Sequence, residues 1–242
     1  MNWRIGCSGY YYPEWKGIFY PPDLDRKAWF QHYCRHFNTI ELNSTFYRFP
    51  RLEFLNNWYS NSPDDFVFSV KAPRLITHYK KFRDAKHYLG DFYKCVREGL
   101  REKLGAVLFQ FPANFFYDEN RLEKIIGLTD ATFRNVVEFR HESWWDDFVF
   151  ARLKQANLIF AGMDHPSLPA RVVQTTPVVY YRFHGAPHLY ISSYPNRRLE
   201  DVAREIQQLE NVHKVFVYFN NTAEGAAVEN ARQFQEIAEL VH

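Results

Sequence analysis

Short apolar runs that end in polar residues alternate along the whole chain with segments whose apolar positions recur every three or four residues. This is the pattern of repeated strand–helix units around a parallel sheet. Eight runs read as strands: Trp3 to Cys7, Thr39 to Asn43, Phe66 to Lys71, Ala106 to Phe111, Asn135 to Arg140, Leu158 to Ala161, Val178 to His184 and Val215 to Asn220. Between them the spacing predicts helices over 26–37, 51–60, 86–103, 119–127, 145–156, 197–210 and 224–240. Only the connection after the sixth strand departs from the pattern, because Pro166, Pro169 and Pro177 break any long helix there.

Eight units in 242 residues leave about 30 residues each, in line with a (β/α)8 barrel. An open doubly wound sheet alternates in the same way, but it usually carries a glycine-rich phosphate turn after its first strand. Gly6-Cys7-Ser8-Gly9 is too short to be that fingerprint. With no linker, low-complexity tract or internal repeat, the chain reads as one α/β domain over residues 1–242. The expected fold is a single TIM barrel with a closed parallel sheet.

Composition then limits the partners. The net charge of +2 provides no global basic field of the kind that marks a dedicated nucleic-acid binder, so any anion site must be local. Aromatic residues make up 19%, enough that many rings must line the core or a pocket. No stretch approaches the roughly 18 uninterrupted apolar residues that a membrane helix needs. The first residues enter a strand with no leader pattern. Cys7, Cys34 and Cys95 are odd in number and widely spaced, which fits a reducing compartment. A cytoplasmic protein with no membrane partner is expected; the oligomeric state is open.

Strand ends carry the candidate chemistry. Residues two apart on a strand share a face, and barrels do chemistry where their strands finish. Glu41 and Asn43, Ser69 and Lys71, Leu108 and Gln110, Glu138 and Arg140, and Arg182 and His184 are such pairs. A barrel interior is normally filled by branched apolar side chains, so this polar set needs an explanation beyond packing. Glu41, Glu138 and His184 are the candidate acids and bases. Lys71, Arg140 and Arg182 oppose free carboxylates and suit an anionic substrate. Arg182, on the same face as His184 beside Gly185, is the favoured clamp; Arg140, on the same strand as Glu138, is the favoured scaffold. The competing reading is an ion-pair network that merely closes the strand ends.

Other residues join the candidate set with a plainer alternative beside each. Asn43, His78, Gln110, Asn220 and Asn221 are candidate substrate contacts. Trp144 belongs with Trp15, Tyr20, Phe46, Tyr47 and Trp145, rings on loops after strands that either stack on a ligand or simply wall the site. Glu41, His78, Glu138, His141, Asp164 and His184 supply metal ligands in principle, but the neighbouring cations and the terminal Asn220-Asn221 speak against a divalent ion. No cofactor or metal is expected. Cys7 is a nucleophile only if His184 approaches it; free cysteines usually serve as small buried hydrophobes.

The same residues form a family signature. Gly6-Cys7-Ser8-Gly9-Tyr10, Trp15-Lys16-Gly17, Glu41-Leu42-Asn43-Ser44-Thr45-Phe46-Tyr47, Phe68-Ser69-Val70-Lys71-Ala72-Pro73 and Leu108-Phe109-Gln110-Phe111-Pro112 open it. Glu138-Phe139-Arg140-His141-Glu142-Ser143-Trp144, Tyr181-Arg182-Phe183-His184-Gly185 and Tyr218-Phe219-Asn220-Asn221 complete it. Together, over about residues 5 to 240, the chain resembles the YecE-like family of domains of unknown function, number seventy-two. The resemblance implies a TIM barrel and transfers no established reaction. Tyr10 stands where relatives commonly have Trp and Cys7 where they have Thr, which weakens a cysteine mechanism.

Three functions fit this reading. The first is an enzyme, hydrolase or isomerase, acting on a small phosphorylated or carboxylated sugar-like anion. The second is a nucleic-acid-binding or repair protein whose Lys80, Lys81, Arg83 and Lys86 contact phosphates. The third is a non-catalytic barrel that binds a metabolite.

Overall fold

The computed structural model describes residues 1–240. Its strands are β1 (Asn2–Cys7), β2 (Thr39–Leu42), β3 (Val67–Lys71), β4 (Leu104–Phe111), β5 (Asn135–Phe139), β6 (Ile159–Asp164), β7 (Val178–Phe183) and β8 (Lys214–Phe219). They form one sheet in the order β1-β8-β7-β6-β5-β4-β3-β2, the (β/α)8 TIM-barrel fold. The helices are α1 (Trp29–Cys34), α2 (Ser44–Tyr47), α3 (Leu52–Ser60), α4 (Lys86–Leu100), α5 (Glu119–Leu128), α6 (Asp147–Gln155), α7 (Asn196–Gln207) and α8 (Ala226–Leu240). No helix among the described residues is long and apolar enough to cross a membrane.

Each element that the periodicity predicts is present, with differences that have local causes. β6 continues past Ala161 to Asp164, where Met163 bridges antiparallel to Arg171. The proline-rich stretch that follows forms no helix, as its composition requires. The first helical segment is split: Asp25 accepts a hydrogen bond from Lys27 N and starts a 3-10 turn at Arg26–Ala28, and α1 then runs only to Cys34. α2 adds to the predicted elements, because four residues are too few to show a helical period. A π-helical turn at Leu75–Tyr79 likewise leaves no sequence signal.

Contacts divide the chain into two compact units. One comprises Met1–Glu41, Gly162–Val172 and Pro177–His242, the other Leu42–Ala161 and Val173–Thr176. In the first, β1, β8 and β7 pair in parallel, with Cys7 opposite Phe219 and Arg182 opposite Tyr218. α7 buries Leu199, Val202, Ala203 and Ile206, an unbroken helical stripe, and α8 adds Phe234, which meets the stacked rings of Phe183 and Phe219. In the second, β3 to β6 pair in parallel, with Gln110 opposite Glu138. There Asp118 caps α5 and Asp146 caps α6, each accepting a backbone N–H, while Leu122, Ile125, Val149 and Leu153 go into the core.

Candidate functional site

The polar strand ends sit in two different surroundings, one in each unit. In the first unit, Tyr180 and Arg182 are two apart on β7, and both reach the Glu41 carboxylate at the end of β2. Arg182 Nη2 donates to Oε1 (2.6 Å), the Ser8 hydroxyl to the same oxygen (2.6 Å) and the Tyr180 hydroxyl to Oε2 (2.6 Å). All four residues are fully buried. A buried carboxylate persists only with such partners. Burial and the adjacent Glu41 charge push the Tyr180 phenol well above its ordinary range, so it stays protonated as a donor.

His184 follows on the same strand and is also fully buried. Its Nδ1 lies 3.0 Å from the Asn220 side-chain amide and its Nε2 3.4 Å from Arg182 Nη1, so both ring nitrogens are engaged. Gly185, at φ +87°, turns the chain where a side chain would be strained; an added Cβ would lie 2.8 Å from His188 O. Asn221 points elsewhere. Its amide donates to Ser192 O and to Asn230 Oδ1, which ties the loop after β7 to α8.

In the second unit, Arg140 Nε donates to Glu138 Oε1 at 2.5 Å; the glutamate is fully buried, whereas 9% of the arginine side chain reaches solvent. Gln110 is buried and donates to Phe111 O. Lys71 ends β3 with its ammonium 4.2 Å from the centre of the Phe46 ring, and His78 packs edge-on against that same ring. The His78 imidazole is pushed down to about 4, first by burial and then by the positive charges of Lys71, Lys81, Arg140 and Arg74. It is a neutral ring held by Thr77 Oγ1 (2.9 Å) in a positive surrounding. Asn43 sits just before α2, where its carbonyl accepts Phe46 N.

Several expectations resolve towards the plainer reading. Sequence reasoning favours Arg182 as clamp and Arg140 as scaffold, but Arg182 is the arginine sealed against its glutamate and Arg140 the one that touches solvent. Trp144 is fully buried, stacked on Phe139 at 3.9 Å, with its indole N–H on Phe115 O. Trp15 and Tyr20 are core rings too, Trp15 donating to Thr222 O and Tyr20 stacking on Trp29. Only Tyr47 stands well out, 65% exposed. Cys7 is sealed in, and burial drives its thiol far above the range in which a thiolate forms. Asp164 is tied to Arg198 (2.7 Å) and Tyr194. The described residues contain no group of three or more His, Cys, Asp or Glu side chains placed to hold a metal ion.

A TIM barrel whose strands finish in buried acid–base pairs is the class that fold and site define. The chain belongs to the family described as "Protein of unknown function DUF72", whose model matches residues 4–242. It is 26% identical over 257 residues to the UPF0759 protein YunF of Bacillus subtilis, covering 91% of this chain and 90% of that one. It is 27% identical over 156 residues to the UPF0759 protein YecE of Escherichia coli K12, covering 64% of this chain and 55% of that protein. Among solved structures, a DUF72 family protein from Thermotoga maritima superposes with a TM-score of 0.90 at 28% identity, covering 99% of this chain and all of that one.

Proposed function

We propose that this chain is an enzyme that binds a small phosphorylated or carboxylated molecule at the strand ends of the Leu42–Ala161 unit. The observation that carries this reading is that the Lys71 ammonium and the His78 imidazole pack against the same Phe46 ring, and the positive charges of Lys71, Lys81, Arg140 and Arg74 help keep that imidazole neutral. Such a surrounding favours an anion, and the imidazole can offer it a hydrogen bond without adding charge. Arg140 and Lys71 are the anion contacts, with Gln110 and Asn43 as neutral polar contacts. Glu138, already bonded to Arg140, is the proton carrier of this unit. Hydrolysis and isomerisation both suit this set.

The test is thermal melting of the purified chain with inorganic phosphate, sulfate, citrate and a panel of sugar phosphates. Wild-type protein should be stabilised by at least one phosphorylated or carboxylated compound, and Lys71→Met should lose that response while still folding. Turnover of the stabilising compound should fall in Glu138→Gln. A compound that binds and is recovered unchanged would instead mark a non-catalytic metabolite-binding protein. No response to any anion would end the reading.

One observation favours a second reading. Lys81, Arg83, Arg121 and Lys124 line a cavity of about 230 Å³ in the same unit, with Asp118 occupied in capping α5. Four cations around one depression suit the phosphates of a nucleic acid. Binding of a single-stranded oligonucleotide that weakens steeply with salt, and that Lys124→Met weakens further, would favour this reading over a small anion.

A further inference from the structure

The exposed apolar side chains are not scattered evenly. Tyr47, Phe49, Leu52 and Phe54, exposed by 65, 40, 40 and 53%, fall within eight residues that run from the end of α2 into the first turn of α3. Single exposed apolar residues are ordinary, but a contiguous set marks an interaction site. This stretch borders a cavity of about 350 Å³, within the roughly 300–1,000 Å³ of small-molecule sites. Phe49, Phe54, Leu55 and Trp58 supply its apolar surface.

The walls are fixed by the fold. Leu55 is fully buried against α4, where Gly99 permits the approach: a Cβ there would lie 2.4 Å from Leu55 Cβ. Cys95 Sγ, one turn earlier on α4, donates to Pro50 O. On the other side Thr45 Oγ1 donates to Lys71 O (2.6 Å), which anchors α2. A cavity with an anchored rim loses little freedom on binding.

Its charge is one-sided. Arg48 and Arg51 line the cavity and no carboxylate does. Neither arginine has a side-chain hydrogen bond or ion pair among the described residues. Two guanidinium groups beside an aromatic surface match a ligand with a flat or aliphatic body and one anionic head, because the planar fork binds carboxylate, sulfonate or phosphate oxygens in pairs.

We propose that the α2–α3 cavity is a second ligand site, separate from the strand ends, that takes a small amphipathic organic anion with its head on Arg48 and Arg51 and its body on Phe49, Phe54 and Trp58. The site does not depend on the strand-end reading above.

The test compares an aromatic sulfonate, anilinonaphthalene sulfonate, with its uncharged parent, N-phenylnaphthylamine, by fluorescence titration of the whole chain. The sulfonate should bind at one site per chain at least about tenfold more tightly than the neutral probe, a difference of about 1.4 kcal/mol. Arg48→Met with Arg51→Met, both exposed and safe for folding, should remove that preference and leave the neutral probe unchanged. Phe54→Ser should weaken both probes, and Lys71→Met neither. Equal binding of the two probes would overturn the proposal, as would a double-arginine variant that keeps its preference. Loss of sulfonate binding in Lys71→Met alone would place the probe at the strand ends and overturn it too. A dimer in sedimentation that Phe54→Ser dissociates would assign the patch to a second copy of the chain instead.

Discussion

Glu41 with Arg182 and Glu138 with Arg140 look alike as sequence, since each joins a carboxylate near a strand end to an arginine at one. In the structure they part company. Glu41 is closed over by three donors, Ser8 just after β1 and Tyr180 and Arg182 on β7, and neither it nor Arg182 touches solvent. Glu138 bonds to an arginine two residues on along the same stretch, and that arginine reaches solvent beside Lys71 and the imidazole of His78. Being at a strand end therefore does not make a charged pair functional. The two pairs differ in how far the arginine is sealed: Arg182 is closed off from water, whereas part of Arg140 reaches it.

Substitutions can break this contrast. The largest effect should come from Arg182→Met, which leaves Glu41 buried without its counter-charge and should cost about 3–5 kcal/mol in urea unfolding. Adding Glu41→Gln should recover part of that loss, because the stranded charge is then gone. Tyr180→Phe removes one donor to the same carboxylate and should cost about 1.5–3 kcal/mol, the range for a hydrogen bond to a charged group. Arg140→Met should cost less, about 1–2 kcal/mol, between an exposed pair and a sealed one, because water reaches the vacated position. The anion response should divide the other way: Tyr180→Phe keeps it, and Arg140→Met loses it. An Arg140→Met protein that unfolds as readily as Arg182→Met would erase the distinction.

Much of this was legible in the sequence. Alternation at two residues puts Tyr180 and Arg182 on one face, as it does Glu138 and Arg140, and eight apolar runs were enough to define the barrel. The sequence could not show which donors converge on Glu41. Ser8 reaches Glu41 from 33 positions away and Tyr180 from 139, and neither residue type announces itself as a partner. Strand position alone therefore favours Arg182 as the clamp, although it is the arginine closed off from solvent. Trp144 differs from its expected place for a related reason: a Trp just past a strand reads as a rim residue, whereas the Phe111, Phe115 and Phe139 rings provide an aromatic slot that takes it inside. His78 is legible as a polar residue after a strand, but the π-helical turn that carries it is not, since five residues are too short for a period.

The smallest expected effect is the most specific probe of the open side. An imidazole has an ordinary pKa near 6.5, and burial together with four cations takes that of His78 down to about 4. Between these values the unfolded chain holds a proton at this position and the folded chain does not. Protons thus favour unfolding across that window, and the contribution of His78 to stability is lost as pH falls from about 6.5 to about 4. His78→Gln, which keeps a polar group beside Thr77, should flatten this part of the pH–stability curve and change stability little at pH 7. Because Lys71 is the largest of the charge effects, Lys71→Met should raise the imidazole pKa, as measured by NMR titration of the ring. Inorganic phosphate bound among the same cations should also raise it, by adding negative charge next to the ring. A His78 that titrates near 6.5 and ignores both changes would show that the second unit is no more positive than any solvated surface, and the contrast with the Glu41 hub would lose its functional meaning.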